Sequence, residues 1–307
     1  MRIASALAAL LAGVCAAGAE TCGPDKLGTS RVVEVGTQGG LQVGLKTYPR
    51  TIPLADREVI LSFDDGPAAK TTPEILNALG DQCVRATFFD IGRNAEALPE
   101  IARREVLEGH TVAHHTYSHP QPTLRYMSDA VAREDVLKGM IAVEKAAYGQ
   151  DFGAGEPKDL KDLKLHAPFF RFPGFADTPD LRNWLGANNV GTFGVDLWAS
   201  DWVEMTPEAE LKLVMGRLER LGKGMLLLHD NHQWTADMVP MLLHELKAKG
   251  FKIVHMVPGP GTGPTSPAPK GWVSETERVI GALKPRLVKP ASQAHAEPAA
   301  VKPAPQD

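Results

Sequence analysis

Positive charge is in short supply in this chain. Its 307 residues carry 33 Lys and Arg against 37 Asp and Glu, a formal net charge of −4. No large basic field exists to gather nucleic acid or an anionic polymer. Long hydrophobic runs are absent too: beyond the N-terminal stretch no segment approaches the about 20 uninterrupted apolar residues that a membrane-spanning helix needs. Cysteine is scarce, three in all. With 43% hydrophobic and 23% charged residues, a chain of this length instead buries one sizeable core, with appendages.

The first residues stand outside that core. Met1-Arg2 is a short positive start, Ile3 to Ala16 is apolar and small, and Ala17-Gly18-Ala19 is an A-x-A cleavage site before Glu20. Residues 1–19 therefore read as a signal peptide, and the product as secreted or periplasmic. Lipidation at Cys15 is the alternative, and Ala12-Gly13-Val14 before it fits a lipidation signal poorly. Cleavage leaves Cys22 and Cys83, candidates for a disulfide in an oxidising compartment, two free buried thiols being the other reading.

Two stretches carry chemistry. In Leu61-Ser62-Phe63-Asp64-Asp65-Gly66-Pro67 an apolar strand delivers adjacent carboxylates onto a turn that glycine and proline break. Neighbouring side chains on extended backbone point apart, so one acid can bind a metal while the other moves protons. In Gly109 to Pro120 there are four histidines, with His115 and His119 spaced to meet on one face of a helical turn. Two imidazoles and one carboxylate, Asp65, make a three-ligand site whose fourth position stays open, as in catalytic rather than structural zinc. His110 and His114 repeat the spacing and are the alternative pair. The hydroxyls of Thr116 and Ser118, with Pro120 ending the segment, favour His115 and His119 through local side-chain to backbone bonds.

Strand and helix signals alternate along the body. Strands are expected at Glu58 to Phe63, Arg85 to Ile91, Pro168 to Phe172, Val190 to Asp196, Gly224 to His229 and Phe251 to Met256. Between them fall helices at Thr72 to Gly80, Asn94 to Leu107, Ser128 to Tyr148, Pro179 to Asn188, Pro207 to Leu221 and Ala236 to Lys249. That alternation argues a parallel α/β architecture. Arg31 to Leu45, around Gln38-Gly39-Gly40, reads as a β-hairpin covering the body, and Gly153 to Lys164 as a surface loop able to border a substrate cleft. From Pro258 to Asp307 the Pro, Gly and Ala content reads as a largely disordered tail, with a weakly helical patch between Val273 and Leu283.

With the Asp64-Asp65 and histidine stretches in place, three further blocks complete a pattern. Arg171-Phe172-Pro173-Gly174-Phe175, Asp196 to Trp202 with its Asp201-Trp202 end, and Leu227-Leu228-His229 follow in order. Five such motifs from Ser62 to Asp230 resemble the polysaccharide deacetylases of carbohydrate esterase family 4, the NodB homology domain. Gly174 stands where that family often has tyrosine, and Trp198 where an earlier aspartate often sits. The resemblance implies a deacetylase domain over residues 20–257, a distorted (β/α) barrel of fewer than eight units, with motifs at the C-terminal ends of the strands. It also implies roles: Asp64 as general base held by Arg171, His229 as general acid positioned by Asp201, and a backbone N–H near Gly174 for the oxyanion, with Trp202 either an apolar wall near His229 or a surface that stacks on sugar. Zn2+ is the expected cofactor, with Co2+ or Ni2+ also compatible. Three readings of function follow: N-deacetylation of an acetylated glycan such as chitin oligosaccharide, peptidoglycan or exopolysaccharide, O-deacetylation of a xylan-like polymer, and glycan binding without catalysis. His166, His232, His244, His255 and His295 are expected to be surface or structural residues.

Overall fold

The structure, a computed structural model, describes residues 22–153 and 155–287. The expected signal peptide lies outside the described residues. In chain order the elements begin with strands β1 (Thr29–Thr37), β2 (Gln42–Val43), β3 (Arg50–Thr51) and β4 (Glu58–Asp64), then helix α1 (Thr71–Asp81). Next come β5 (Thr87–Asp90), α2 (Gly92–Ala97), α3 (Pro99–Leu107), β6 (Thr111–His114) and α4 (Asp129–Tyr148). They continue with β7 (Phe169–Phe170), α5 (Pro179–Ala187), β8 (Gly191–Phe193), β9 (Leu197–Trp198), α6 (Pro207–Leu221) and β10 (Gly224–His229). The chain then runs through α7 (Gln233–Ala248), β11 (Lys252–Gly259), β12 (Thr262–Gly263), β13 (Ser266–Pro267) and α8 (Glu275–Leu287).

Eleven strands form one curled, mostly parallel sheet, a distorted (β/α) barrel of fewer than eight units, and β3 and β13 pair in a separate two-stranded sheet. Every residue of β4 is buried, as expected of a parallel strand covered on both faces. Its side chains divide by the period of two. Val59, Leu61 and Phe63 enter a layer with α1, α6 and α7, whereas Ile60 enters the barrel interior with Phe89, Phe193, Met225 and Met256. Parallel register sets the mouth: Asp64 pairs with His229 of β10 and with Phe89 of β5, and Asp90 pairs with His114 of β6. Four strand ends, those of β4, β10, β5 and β6, thus carry polar residues at one rim. Helices start and stop where local chemistry directs: the Thr206 and Thr178 hydroxyls accept from Ala209 and Leu181 N–H ahead of Pro207 and Pro179, and α4 ends on left-handed Gly149.

Four expectations are corrected. The helix expected from Asn94 to Leu107 is two, because Pro99 offers no N–H and holds Leu98 out of helical geometry. The expected hairpin is not one: β1 lies parallel to β11 and β2 parallel to β8, so Val33 and Val35 make β1 a stave of the barrel. Residues from Pro258 to Leu287 are structured. β12 pairs antiparallel with β1 and β13 with β3, Trp272 Nε1 donates to Leu45 O at 2.6 Å, and the glycines at 261, 263 and 271 serve left-handed turns. Composition suited to disorder serves tight turns here; residues 288–307 lie outside the described ones. Finally, none of the described residues from Gly153 to Lys164 lines the cleft. Leu160 and Leu163 are buried with α4 and α5 instead. Cys22 and Cys83 are joined by a disulfide, tying the start of the described chain to the turn after α1.

Candidate active site

A cleft of about 390 Å³ opens at the rim of the barrel, lined among others by Asp64, Asp65, His115, His119, Gly174, Trp202 and His229. Asp65 leaves the end of β4 with φ 76°, a left-handed turn that sends its side chain away from that of Asp64. Its carbonyl accepts from Asn94 Nδ2 at 2.9 Å. The histidine segment is not a helical turn, as the spacing predicts. After β6 the chain turns through left-handed Thr116 and His119 (φ 65° and 47°), and Thr116 Oγ1 accepts from the His119 N–H at 3.1 Å. The tight turn that the hydroxyls and Pro120 predict, rather than a helical turn, brings His115 and His119 together beside Asp65.

Asp65 Oδ1 lies 3.4 Å from Nε2 of His115 and 3.4 Å from Nε2 of His119. His115 Nδ1 sits 2.8 Å from the Arg171 carbonyl, which can only accept, so Nδ1 carries the proton and Nε2 keeps its lone pair. Asp65 Oδ1 is buried and has no hydrogen-bond partner. These residues fit a divalent cation: the 3.4 Å from Asp65 Oδ1 to each imidazole Nε2 is the separation that tetrahedral bonds of about 2.0–2.2 Å to a common ion require. Burial opposes ionisation of Asp65, but contact with His115 and the charges of His115, His229 and His119 outweigh it and hold the carboxyl well below its ordinary range. Burial and the neighbouring His115 lower the pKa of His119, leaving it neutral and able to ligate.

Asp64 is buried beside the triad, with Oδ2 3.8 Å from His115 Nε2. Arg171, wholly buried, donates from Nη1 to Asp64 Oδ1 at 2.5 Å. The contact is a single one rather than a bidentate fork. Its other N–H groups go to Ser62 Oγ (3.1 Å), Phe193 O (3.2 Å) and Gly194 O (3.3 Å), and its guanidinium lies 3.9 Å over the Phe89 ring. On the neighbouring strand His229 Nδ1 meets Asp201 Oδ1 at 2.8 Å, and Asp201 Oδ2 accepts the His229 backbone N–H at 2.6 Å. Burial alone would lower the His229 pKa; the charge and hydrogen bond of Asp201, with Asp65 and Asp64 beyond, raise it to about 9. Gly174 adopts φ 58° at the rim, and Trp202, 50% exposed, stands edge-on to His229 at 6.1 Å.

His110 and His114 face elsewhere. His110 Nδ1 accepts from the Ala86 N–H and its ring meets Phe88, while His114 is fully buried 3.6 Å from Glu144. Strand alternation across β6 separates His114 from His115. His232, expected to be surface or structural, lines the cleft: its ring stacks on Trp234 at 4.5 Å and lies 6.0 Å from His229. Asp196 accepts from Leu45 N–H, Met225 N–H and Thr51, so it is a fastening of the barrel rather than part of the site.

The metal-ligand turn rests on α4. A Cβ on Gly139 would come within 2.3–2.5 Å of the backbone of Thr116 and Tyr117. Gly139→Ala is expected to destabilise the fold by about 1–3 kcal/mol and to weaken metal binding by displacing His115 and His119. Thermal unfolding with and without added zinc checks this: a zinc-dependent rise in Tm undiminished from the parent contradicts it.

A parallel α/β barrel whose strand ends gather a carboxylate and two imidazoles around a cleft, with a further carboxylate and an aspartate-held histidine beside them, defines a barrel with a hydrolase-type metal site. Residues 51–152 match the family described as Polysaccharide deacetylase. The chain is 30% identical over 212 residues to a peptidoglycan-N-acetylglucosamine deacetylase of Bacillus cereus, covering 67% of this chain and 70% of that protein. It is 40% identical over 102 residues to a chitooligosaccharide deacetylase of Sinorhizobium fredii, covering 32% of this chain and 45% of that one. Among solved structures, a Bdellovibrio bacteriovorus peptidoglycan deacetylase superposes with a TM-score of 0.64 at 25% identity, over 77% of this chain and 61% of that one. The chain belongs to the polysaccharide deacetylase family.

Proposed function

We propose that the protein is a divalent-metal hydrolase that removes N-acetyl groups from N-acetylglucosamine-containing glycans and releases acetate. The observation that carries this reading is the convergence of Asp64, the Asp65-His115-His119 triad and His229 in one cleft at the strand ends. Asp65, His115 and His119 would hold the ion, and the N and O donors suit zinc, with cobalt or nickel also accommodated. When bound, the ion supplies Lewis-acid polarisation at the reacting carbonyl.

The remaining work falls to the chain's own groups. Asp64 takes the proton of the attacking water, kept in place by Arg171. The N–H near Gly174 donates to the developing oxyanion, and Trp202 walls the cleft against water. His229, with its pKa raised to about 9, holds a proton at neutral pH and delivers it from Nε2 to the departing amine. Asp201 fixes the ring through Nδ1 and favours its charged form.

Names of the relatives above favour peptidoglycan or chitin-like oligosaccharide as the substrate class. Export after removal of residues 1–19 is part of the same reading, supported by the Cys22–Cys83 disulfide, which persists in an oxidising compartment. No helix among the described residues is long and apolar enough to cross a membrane.

Product analysis tests the reaction type. Incubation with a chitin oligosaccharide is expected to release acetate with an equal amount of free amine. Acetate released from O-acetylated xylan, with no amine formed from the oligosaccharide, contradicts the reading.

A further inference from the structure

The floor of the cleft is made by residues of the motifs, but part of one wall is not. Thr276, Val279 and Ile280 of α8 line it, and α8 lies beyond the last motif of the chain. The helix is fastened at its first turn. Thr276 N–H donates to the Lys46 carbonyl at 3.0 Å, and its hydroxyl bonds the Thr47 hydroxyl at 3.0 Å in a buried contact. Lys46 pairs with Glu275, and Arg125 with Glu277. The Lys46 ammonium also lies 4.7 Å over the Trp198 ring, so the start of α8, the Lys46 loop and Trp198 share one edge of the cleft. Phe175 stacks against Trp198, with ring centroids 6.2 Å apart.

The edge is apolar where it faces the opening. Val279 is 44% exposed although it lines a concave site, and Ile280 is half-buried beside it. A β-branched apolar residue set next to Glu277 and Arg278 on a surface helix gains little from water, and burial by an occupant of the cleft recovers its hydrophobic contribution. Trp198 and Trp202, whose centroids are 5.7 Å apart, lead from this edge to His229. The α8 wall therefore lies further along the cleft than the reacting group, in reach of a neighbouring part of a bound chain. A pyranose ring matches such a wall, with its C–H face on the apolar side chains and its hydroxyls toward water.

We propose that Val279 and Ile280 contact a sugar ring beyond the one being deacetylated, so that the C-terminal helix makes the enzyme prefer longer glycan chains. This rests on the deacetylase reading above. The helix is a specificity wall, and it takes no part in proton transfer.

The full chain carrying Val279→Ala and Ile280→Ala tests it, since alanine preserves an exposed helix. The ratio of kcat/KM for a five-ring to a two-ring N-acetylglucosamine oligosaccharide is expected to fall about tenfold relative to the parent. Val279→Asp, which places a charge on the wall, is expected to lower the ratio at least as far. A calorimetric comparison of the two oligosaccharides on Asp64→Asn, with and without the α8 substitutions, reads binding apart from turnover and is expected to show the same loss of length preference. A ratio within twofold of the parent, or an equal loss for both lengths, overturns the proposal. Absence of acetate release by the parent overturns the deacetylase reading instead, and the calorimetric arm still decides the role of α8.

Discussion

Asp64→Asn is expected to lower kcat by about 10²–10⁴-fold, the range for removal of a general base. The substitution keeps the shape and an acceptor for Arg171 Nη1, which lies 2.5 Å from Asp64 Oδ1, but deletes the charge. Arg171 is then a wholly buried cation without its partner. Removing one member of a buried pair costs about 3–5 kcal/mol. Its remaining bonds to Ser62, Phe193 O and Gly194 O soften that loss, so a fall in Tm accompanies the fall in rate. Rate and stability must be separated by measuring kcat on protein shown to be folded at the assay temperature. Turnover within threefold of the parent contradicts the assignment of Asp64 as base.

Asp201→Asn acts on the other proton. His229 has its pKa raised from 6.5 to about 9, so its acid form persists through neutral pH and is lost as pH rises through about 9. The alkaline limb of kcat is therefore expected in that region, moved lower by the like charge of an ion in the triad. Without the Asp201 carboxylate the His229 pKa falls, and the limb is expected to shift down by more than one pH unit, with kcat at pH 8 reduced about 10- to 100-fold. Stability follows the same sign. A group whose folded pKa is raised contributes fully below its unfolded value of about 6.5, and that contribution is lost between about 6.5 and 9. The parent should thus lose more stability than Asp201→Asn across this window. Glu210, reached from Asp201 through Thr235, responds in the same direction: burial and then the Asp201 charge raise its pKa to about 8, and deleting that charge lowers it and eases its ionisation. A pH–rate profile whose alkaline limb does not move contradicts the Asp201–His229 coupling.

Much of the site was legible because its residue types are uncommon outside chemistry. Adjacent acids closing an apolar strand, and a histidine pair followed by Pro120, announced Asp64, Asp65, His115 and His119 before any geometry. The histidine pair converged for a reason that spacing alone misread, since left-handed Thr116 and His119 do the work assigned to a helix. Alternation of strands and helices was visible because β4 and β10 are apolar runs of the right length. What stayed hidden depends on tertiary pairing. Nothing local to Arg31–Leu45 says that β1 pairs with β11, some 220 residues on. Pro, Gly and Ala between Pro258 and Gly271 looked like a tail, and only pairing with β1 and β3 shows them as turns. His232 lies three residues beyond His229 and outside any motif, and Trp234, on which it stacks, is the local sign of its place in the cleft. The buried acids Asp90, Glu105 and Asp230 gave no warning either, and burial pushes the carboxyl pKa of all three upward.

That Asp65, His115 and His119 hold an ion on which acetate release depends is tested most directly by stripping the protein with chelator and adding zinc back. Acetate release from an N-acetylglucosamine oligosaccharide should stop on chelation and return at one zinc per chain, and His119→Ala should bind zinc weakly and stay inactive. Release that continues undiminished in metal-free protein, or one zinc held equally tightly by His119→Ala, would contradict it.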